Sequence, residues 1–444
     1  MFPQIDERSA RGLAAAVARA IRAGDLATGE RLPPVRTIAK VLGISPTTVS
    51  EAWQELARTG AIETRGRNGT YVREPDPVRA PRRYRQVTDA RAAFDLDLSS
   101  GTPDAALLPP IASALARAAA RGDLTASYAD DPVLPELGAL LRDRWPFGPE
   151  AITIVDGAMD ALDRVLRETV RIGDRVVVEE PTFPPLLDLL SLLGAEAVGV
   201  GVDAAGMITD ELEAALERMR PSVVVLQPRA QNPTGASLTR PRAEILASML
   251  TDSDALVVED DHSGDIASAP AISIGTWLPL RTVRIHGFSK SHGPDLRLAA
   301  VGGAGEAIDR LATRRQLGPG WSSRLLQATL ADLLADETSR ASVERAKRSY
   351  ADRQDAFANA CRSHGIELDF VADGINAWVP VADEQHALVS LASRGIGVAP
   401  GSPFCLASNW PHVRVTTAAL ASDFDRVARA LADAASTPVG VRRA

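Results

Sequence analysis

From Ile152 onward the chain repeats one unit, a short apolar run rich in β-branched residues followed by a helical stretch. Ile152 to Val155, Arg175 to Glu179, Val198 to Val202, Val223 to Gln227, Ala255 to Val258, Thr282 to His286 and Leu298 to Gly302 are strand-sized and largely apolar. Helical stretches such as Ala158 to Val170, Leu186 to Leu193 and Asp210 to Met219 lie between most of them. A strand that is apolar on both faces needs cover on both. The repetition therefore predicts an α/β body with a largely parallel sheet coated by helices on each side. In such a sheet ligands sit at the carboxyl ends of the strands.

What stands at those ends is chemically specific. After Val155, Asp156-Gly157-Ala158-Met159 opens a helix, so free N–H groups and the helix dipole are presented to an anion. Glu180-Pro181-Thr182-Phe183-Pro184 places an aromatic ring where it can stack on a flat one. Gln231-Asn232-Pro233-Thr234-Gly235 offers an amide on a stiff turn, and Glu259-Asp260-Asp261-His262 offers carboxylates. Last comes His286-Gly287-Phe288-Ser289-Lys290, with Arg297 seven residues on. A lysine forms an imine only after losing its proton, which burial or a neighbouring positive charge promotes. Arginine holds a phosphate dianion with its planar fork. Taken singly, each motif has a plainer reading: a common turn at Asn232, a solvated acidic loop or metal-ligand set at Glu259 to His262, an ordinary strand-end charge at Arg414.

Taken together and in order, the set resembles the fold type I pyridoxal phosphate enzymes of the aspartate aminotransferase superfamily, from about Leu98 to Ala434. That resemblance implies a large, mainly parallel sheet domain and a smaller C-terminal α/β domain. It implies pyridoxal 5'-phosphate carried on Lys290, with Asp260 opposite the pyridine nitrogen and Asn232 at the phenolic oxygen. Phe183 would stack on the ring, and Gly157, Ala158, Met159 and Arg297 would cup the phosphate. Arg414 would meet a substrate carboxylate, and Tyr128 would reach the phosphate of a neighbouring subunit. Ser100 to Asp104 would lie near the substrate. No metal is implied.

The first 85 residues read differently. They carry 15 Lys and Arg against 9 Asp and Glu, a balance of +6, whereas the remainder carries 34 against 48, a balance of −14. A basic head and an acidic body suggest different partners. Leu13, Val17 and Ile21 mark an amphipathic helix between Asp6 and Gly24; a second spans Val35 to Leu42. A third runs from Thr47 to about Thr59, with Ser45-Pro46 as cap and first turn. Val49, Ala52, Trp53 and Leu56 form its inner face, and Thr47, Thr48, Ser50 and Gln54 point mostly outward. Strands over Ala61 to Thr64 and Thr70 to Arg73 flank Arg65-Gly66-Arg67-Asn68-Gly69. This is a winged helix-turn-helix, whose third helix would enter the major groove.

Ile21 to Gly24, Arg31 to Pro34, Arg36, Ala39, Leu42-Gly43, Ser45, Thr48-Val49, Ala52, Leu56, Gly60 and Gly69 to Val72 closely resemble the GntR-type DNA-binding domain. The resemblance implies double-stranded DNA as partner, with Arg36, Ser45, Thr47, Thr48, Arg65 and Arg67 as contacts. The expected organisation is a DNA-binding head at 1–74, a linker at 75–97 and an effector body at 98–440. The linker reading rests on Pro75, Pro77, Pro81 and the basic run Arg82-Arg83-Tyr84-Arg85.

A GntR-type head on an aminotransferase-like body is the arrangement of the MocR-type transcriptional regulators, and the whole chain resembles them. The family implies a homodimer that senses an amino acid or amine; a working aminotransferase with an autoregulatory head is the alternative. There are departures from the pattern: His262 replaces a tyrosine expected two residues after Asp260, Gly287 replaces a Ser or Thr, and Asp160 stands where an amide is common. Only Cys361 and Cys405 are present, which suits a reducing compartment. No run approaches about eighteen apolar residues and no leader is evident, so the expectation is cytoplasmic, with no membrane partner.

Overall fold

The computed structural model describes residues 8–23, 25–27, 29–58, 61–64, 69–72, 82–88, 94–121, 127, 131–370, 372–407 and 411–435. The chain divides into two compact units, 1–80 and 81–444.

The head packs helices Ala10–Ala23, Val35–Leu42 and Pro46–Arg58 against a three-stranded sheet. In that sheet β1 (Arg31–Leu32) and β2 (Ile62–Thr64) both pair antiparallel with β3 (Thr70–Val72). The expected inner face of the third helix is the observed one: Val49, Ala52, Trp53 and Leu56 are buried with Leu13, Val17, Ile38, Ile62 and Val72. Gly43 ends the second helix in the left-handed region (φ 66), as a glycine stop requires. The third helix is capped by Ser45, whose Oγ accepts from Thr48 N at 3.0 Å.

In the body, β4 (Leu96–Leu98) is followed by eight strands that form the large sheet: β5 (Ala151–Val155), β6 (Arg175–Glu180), β7 (Glu196–Asp203), β8 (Gly206–Met207), β9 (Val223–Leu226), β10 (Leu256–Asp261), β11 (Thr282–Gly287) and β12 (Ala299–Gly303). Their order is β5-β12-β11-β10-β9-β6-β7-β8. The neighbours from β11 to β7 pair parallel, β12 is antiparallel to both β11 and β5, and β8 is antiparallel to β7. The largely parallel sheet expected from the apolar runs is therefore present. Both faces are buried: Val176, Val178, Val223, Val225 and Val258 face one core, and Val177, Val224, Leu226 and Val257 face the other. Burying each such side chain contributes roughly 1.5–3 kcal/mol, so alternation is absent because neither face can be left to water.

A smaller lobe holds β13 (Ala377–Pro380), β14 (Ile396–Pro400) and β15 (His412–Val415) in the order β13-β15-β14-β4. Its strand β4 begins at Leu96, inside the span expected to be linker, and pairs parallel with β14.

The basic run departs further from the expected linker. Arg82–Thr88 is a helix whose Val87 is buried with Trp378, Ala399, Phe404 and Cys405. Asp188, on the large-lobe helix Pro184–Leu193, accepts from Arg83 N at 3.3 Å and Tyr84 N at 3.0 Å and so caps its first turn. Composition missed this because the stabilising partners lie more than a hundred residues away.

Candidate functional site

β5 is antiparallel to β12, which is antiparallel to β11, so β5 runs with the parallel set and its carboxyl end shares their edge. At that edge Lys290 follows β11, and its Nζ donates to Gly101 O at 2.6 Å. The Ser100 to Asp104 segment thus reaches the lysine. Burial, then the Arg414 charge, lowers the Lys290 pKa to about 8, so a useful fraction of the amine is neutral near physiological pH.

Arg414 rises from β15 and is buried. Its Nη1 donates to Asn232 Oδ1 at 3.3 Å, its Nη2 donates to Ser99 O, and its guanidinium lies 5.2 Å from the centroid of the Phe404 ring. Nε has no partner. Among the described residues no carboxylate pairs with it, and burial lowers its pKa to about 10.

Asp260 is buried within β10 itself, which runs on through Asp261 instead of ending at Val258. The plainer reading of Glu259 to His262 as a solvated loop fails for this reason. Gln227 Nε2 donates to Asp260 Oδ2 at 2.8 Å, while Asp260 Oδ1 is buried with no partner. Burial chiefly raises the Asp260 pKa, to about 6. Gln227 Oε1 also accepts from Asn232 N at 2.8 Å, so one side chain ties the carboxylate to the amide turn. Neither Gln227 nor the buried Glu179 beside it was singled out by sequence reasoning. Glu179 Oε2 accepts from Gln227 N at 3.0 Å, and burial raises its pKa to about 8. The available signal was a polar residue closing the run Val223-Val224-Val225-Leu226.

On the other face of β10, Glu259 and Asp261 meet arginines. Arg284 spans Glu259 Oε2 at 3.0 Å and Asp261 Oδ2 at 2.7 Å, and Arg229 pairs with Asp261 at 2.6 Å. Burial alone would raise Asp261, but Arg284 and Arg229 hold it well below the usual carboxylate range. Alternate residues of one strand therefore serve two tasks, with Asp260 on the opposite face, held by Gln227.

Gly157 begins the helix Ala158–Thr169 with φ 106, and a Cβ there would stand 3.3 Å from Arg297 Nη2. Glycine is needed both for that backbone and for the close approach of the guanidinium. Arg297 Nη2 also donates to Asp156 O at 3.3 Å, beside the helix N-terminus. Ala158 and Met159 follow in the first turn, and Asp160 Oδ2 accepts from Asp156 N at 3.1 Å and pairs with Arg164. Phe183 is half-buried at the start of the helix Pro184–Leu193.

His262 stands next to this set with Nδ1 buried and unpartnered, and its Nε2 lies 3.3 Å from Ser263 Oγ. Burial, then Lys290, lowers its pKa to about 4, so the ring is neutral at pH 7. A Cβ on Gly287 would meet only ordinary contacts, at 3.4 Å from His262. Tyr128 lies outside the described residues.

In the head, Arg36 and Thr47 are exposed, Thr48 is half-buried, and Ser45 Oγ is 2.8 Å from Thr48 Oγ1. Arg65 and Arg67 lie outside the described residues. Among the described residues no helix is long and apolar enough to cross a membrane, and no group of three His, Cys, Asp or Glu could hold a metal ion.

Comparison with known proteins matches residues 95–431 to the family "Aminotransferase class I and II" and residues 9–72 to "Bacterial regulatory proteins, gntR family". The vitamin B6 salvage pathway transcriptional repressor PtsJ of Salmonella typhimurium is 35% identical over 428 residues, covering 94% of this chain and 96% of that protein. The HTH-type pyridoxine biosynthesis transcriptional regulator PdxR of Corynebacterium glutamicum is 28% identical over 402 residues, covering 86% and 85%. Among solved structures, LysN, an alpha-aminoadipate aminotransferase of Thermus thermophilus complexed with N-(5'-phosphopyridoxyl)-L-leucine, is similar with TM-score 0.70 and 24% identity, covering 79% of this chain and 95% of that one. At that identity the likeness carries the fold alone.

Proposed function

The chain belongs to the MocR-type transcriptional regulators, a gntR-family head joined to an aminotransferase class I and II body, and we propose that it changes its hold on DNA according to the amino compound bound in that body. The residues present fit pyridoxal 5'-phosphate. An unpartnered buried carboxylate oxygen on Asp260 suits a protonated pyridine nitrogen, and the Gly157 cradle under Arg297 suits a phosphate at a helix N-terminus. Lys290 would hold the aldehyde carbon, Phe183 would stack on the ring, and Asn232 and His262 would face the phenolic oxygen. When bound, the cofactor supplies an electron sink and a covalent handle for amines.

The protein's own part is positioning. Asp260 would keep the ring nitrogen protonated, Gln227 holds Asp260 in place, and the lowered pKa of Lys290 leaves part of its amine neutral, the form that can bond an aldehyde. The observation that carries the reading is Arg414: a buried guanidinium that no carboxylate among the described residues pairs with, beside the lysine, is a place for the carboxylate of an amino acid. Arg36, Ser45, Thr47 and Thr48, with Arg65 and Arg67, would contact DNA. A homodimer in the cytoplasm suits a repeated DNA site and the Tyr128 expectation.

The test is a titration of DNA upstream of the protein's own gene with full-length protein loaded with pyridoxal 5'-phosphate, with and without a panel of amino acids, at fixed salt. At least one amino acid should shift the DNA affinity by about fivefold or more. Lys290→Ala should abolish the visible absorbance of the bound cofactor; absorbance that survives this change would sink the assignment. Multiple turnovers with a keto acid acceptor would favour the enzyme alternative. The names of PtsJ and PdxR favour a second reading, in which the B6 aldehyde is itself the signal. Regulation that survives Arg414→Ala would support it.

A further inference from the structure

We propose that the helix Arg82–Thr88 is a strap that reads the closure of the two lobes around the ligand site and passes it to the chain leading to the head. This rests on the reading above and concerns how its signal leaves the body.

The helix is fastened to both lobes at once. Its first turn is capped by Asp188 of the large-lobe helix Pro184–Leu193. Arg83 reaches the small lobe, where one guanidinium nitrogen donates to Pro403 O at 3.1 Å and to Cys405 O. Val87 is buried against Trp378, Ala399, Phe404 and Cys405 of that same lobe. A relative shift of the lobes therefore cannot leave all three attachments intact.

The small-lobe attachment is also the wall of the ligand site. Phe404, between the two carbonyls that Arg83 holds, lies under Arg414. Its backbone oxygen accepts from Thr182 N at 2.8 Å, next to Phe183, and Leu406 N donates to Glu180 at 2.9 Å. Arg414 is now held by neutral acceptors, Ser99 O and Asn232 Oδ1, and by the Phe404 ring. A carboxylate is a stronger acceptor than any of these and would draw the guanidinium toward itself. Phe404, Cys405 and then Arg83 lie in direct line of that adjustment. The sequence reads here as a linker; a linker attached to neither lobe would transmit nothing.

The probe is N-(5'-phosphopyridoxyl)-L-alanine, a stable conjugate carrying the phosphate, the ring and a carboxylate, added to full-length apo-protein. In the unmodified protein, conjugate binding should change the amide hydrogen-exchange rates of residues 83–88 by about tenfold or more. In Arg83→Ala the conjugate should bind within about threefold of the unmodified affinity, because Arg83 touches nothing in the site, while the exchange response falls below about twofold. Arg83→Lys, which keeps the charge and stem but not the fork, should give an intermediate response. Conjugate that binds without altering exchange in this helix, or a response unchanged in Arg83→Ala, overturns the strap and leaves the ligand site standing. Failure of the conjugate to bind overturns the ligand site and the strap with it.

Discussion

Gln227 Nε2 lies 2.8 Å from Asp260 Oδ2 and fixes the carboxylate, whose other oxygen is buried without a partner. The same side chain receives Asn232 N, so two expected cofactor contacts share one support. Gln227→Leu keeps the volume and removes both hydrogen bonds, leaving Asn232 N unsatisfied. Stability should fall by about 1–3 kcal/mol and cofactor affinity by about tenfold or more, measured by denaturant titration and fluorescence quenching. Unchanged cofactor affinity would show that Asp260 needs no such support.

Glu179 gives a pH dependence with a definite sign. Its folded pKa is raised to about 8 by burial, above its unfolded value, so the unfolded state releases the proton first. The stability it contributes is complete below its unfolded pKa and is lost as pH rises through about 8; Asp260, raised to about 6, adds to the loss at lower pH. Glu179→Gln retains an acceptor for Gln227 N. The apo-variant should therefore lose less stability than the unmodified protein between about pH 6 and 8. Parallel curves from denaturant melts across that range would refute the burial argument.

Arg414→Leu removes a buried cation that no carboxylate among the described residues neutralises. Apo-protein should be as stable as before or more so, since such charges are retained at a cost. Affinity for N-(5'-phosphopyridoxyl)-L-alanine should drop about 10- to 100-fold, the value of charge-assisted hydrogen bonds, while affinity for pyridoxal 5'-phosphate changes little. Calorimetry with both ligands separates these outcomes. An equal loss for both would mean that Arg414 supports the fold of the site instead of meeting a carboxylate.

Ser45 is the cap of the helix that would enter the major groove. Ser45→Ala should lower the stability of the head by about 1 kcal/mol, because Thr48 N then loses its acceptor. Arg36→Ala should leave stability alone, since Arg36 is exposed, and should reduce the salt slope of DNA binding by about one. Thermal melts and affinity at several salt concentrations test the pair.

The large sheet was legible because every strand between two helical layers must be apolar on both faces, and Val176 to Val178 and Val223 to Val225 say so without help. Residues at the strand ends were legible because that edge is where polar groups interrupt apolar runs. Arg83 and Gln227 were not read this way. The first takes its helical state from Asp188 and from carbonyls near residue 404, and the second is defined by a carboxylate 33 residues on. Local composition carries no trace of such partners. The same holds for the extent of β10, where Glu259 and Asp261 look like loop residues until Arg284 and Arg229 stand opposite them.

Those arginines also act as an alignment check on the chain. Glu259 lies beside Arg284 and Asp261 beside His286 across the β10–β11 ladder. A slip of one residue would turn Asp260 into the basic layer and its two acidic neighbours out of it, leaving one carboxylate before the two guanidinium groups that now share two. Misaligned versions of this sheet are thus penalised by electrostatics as well as by packing, and the Asp260 carboxylate is held on its own face of the sheet by the charges behind it.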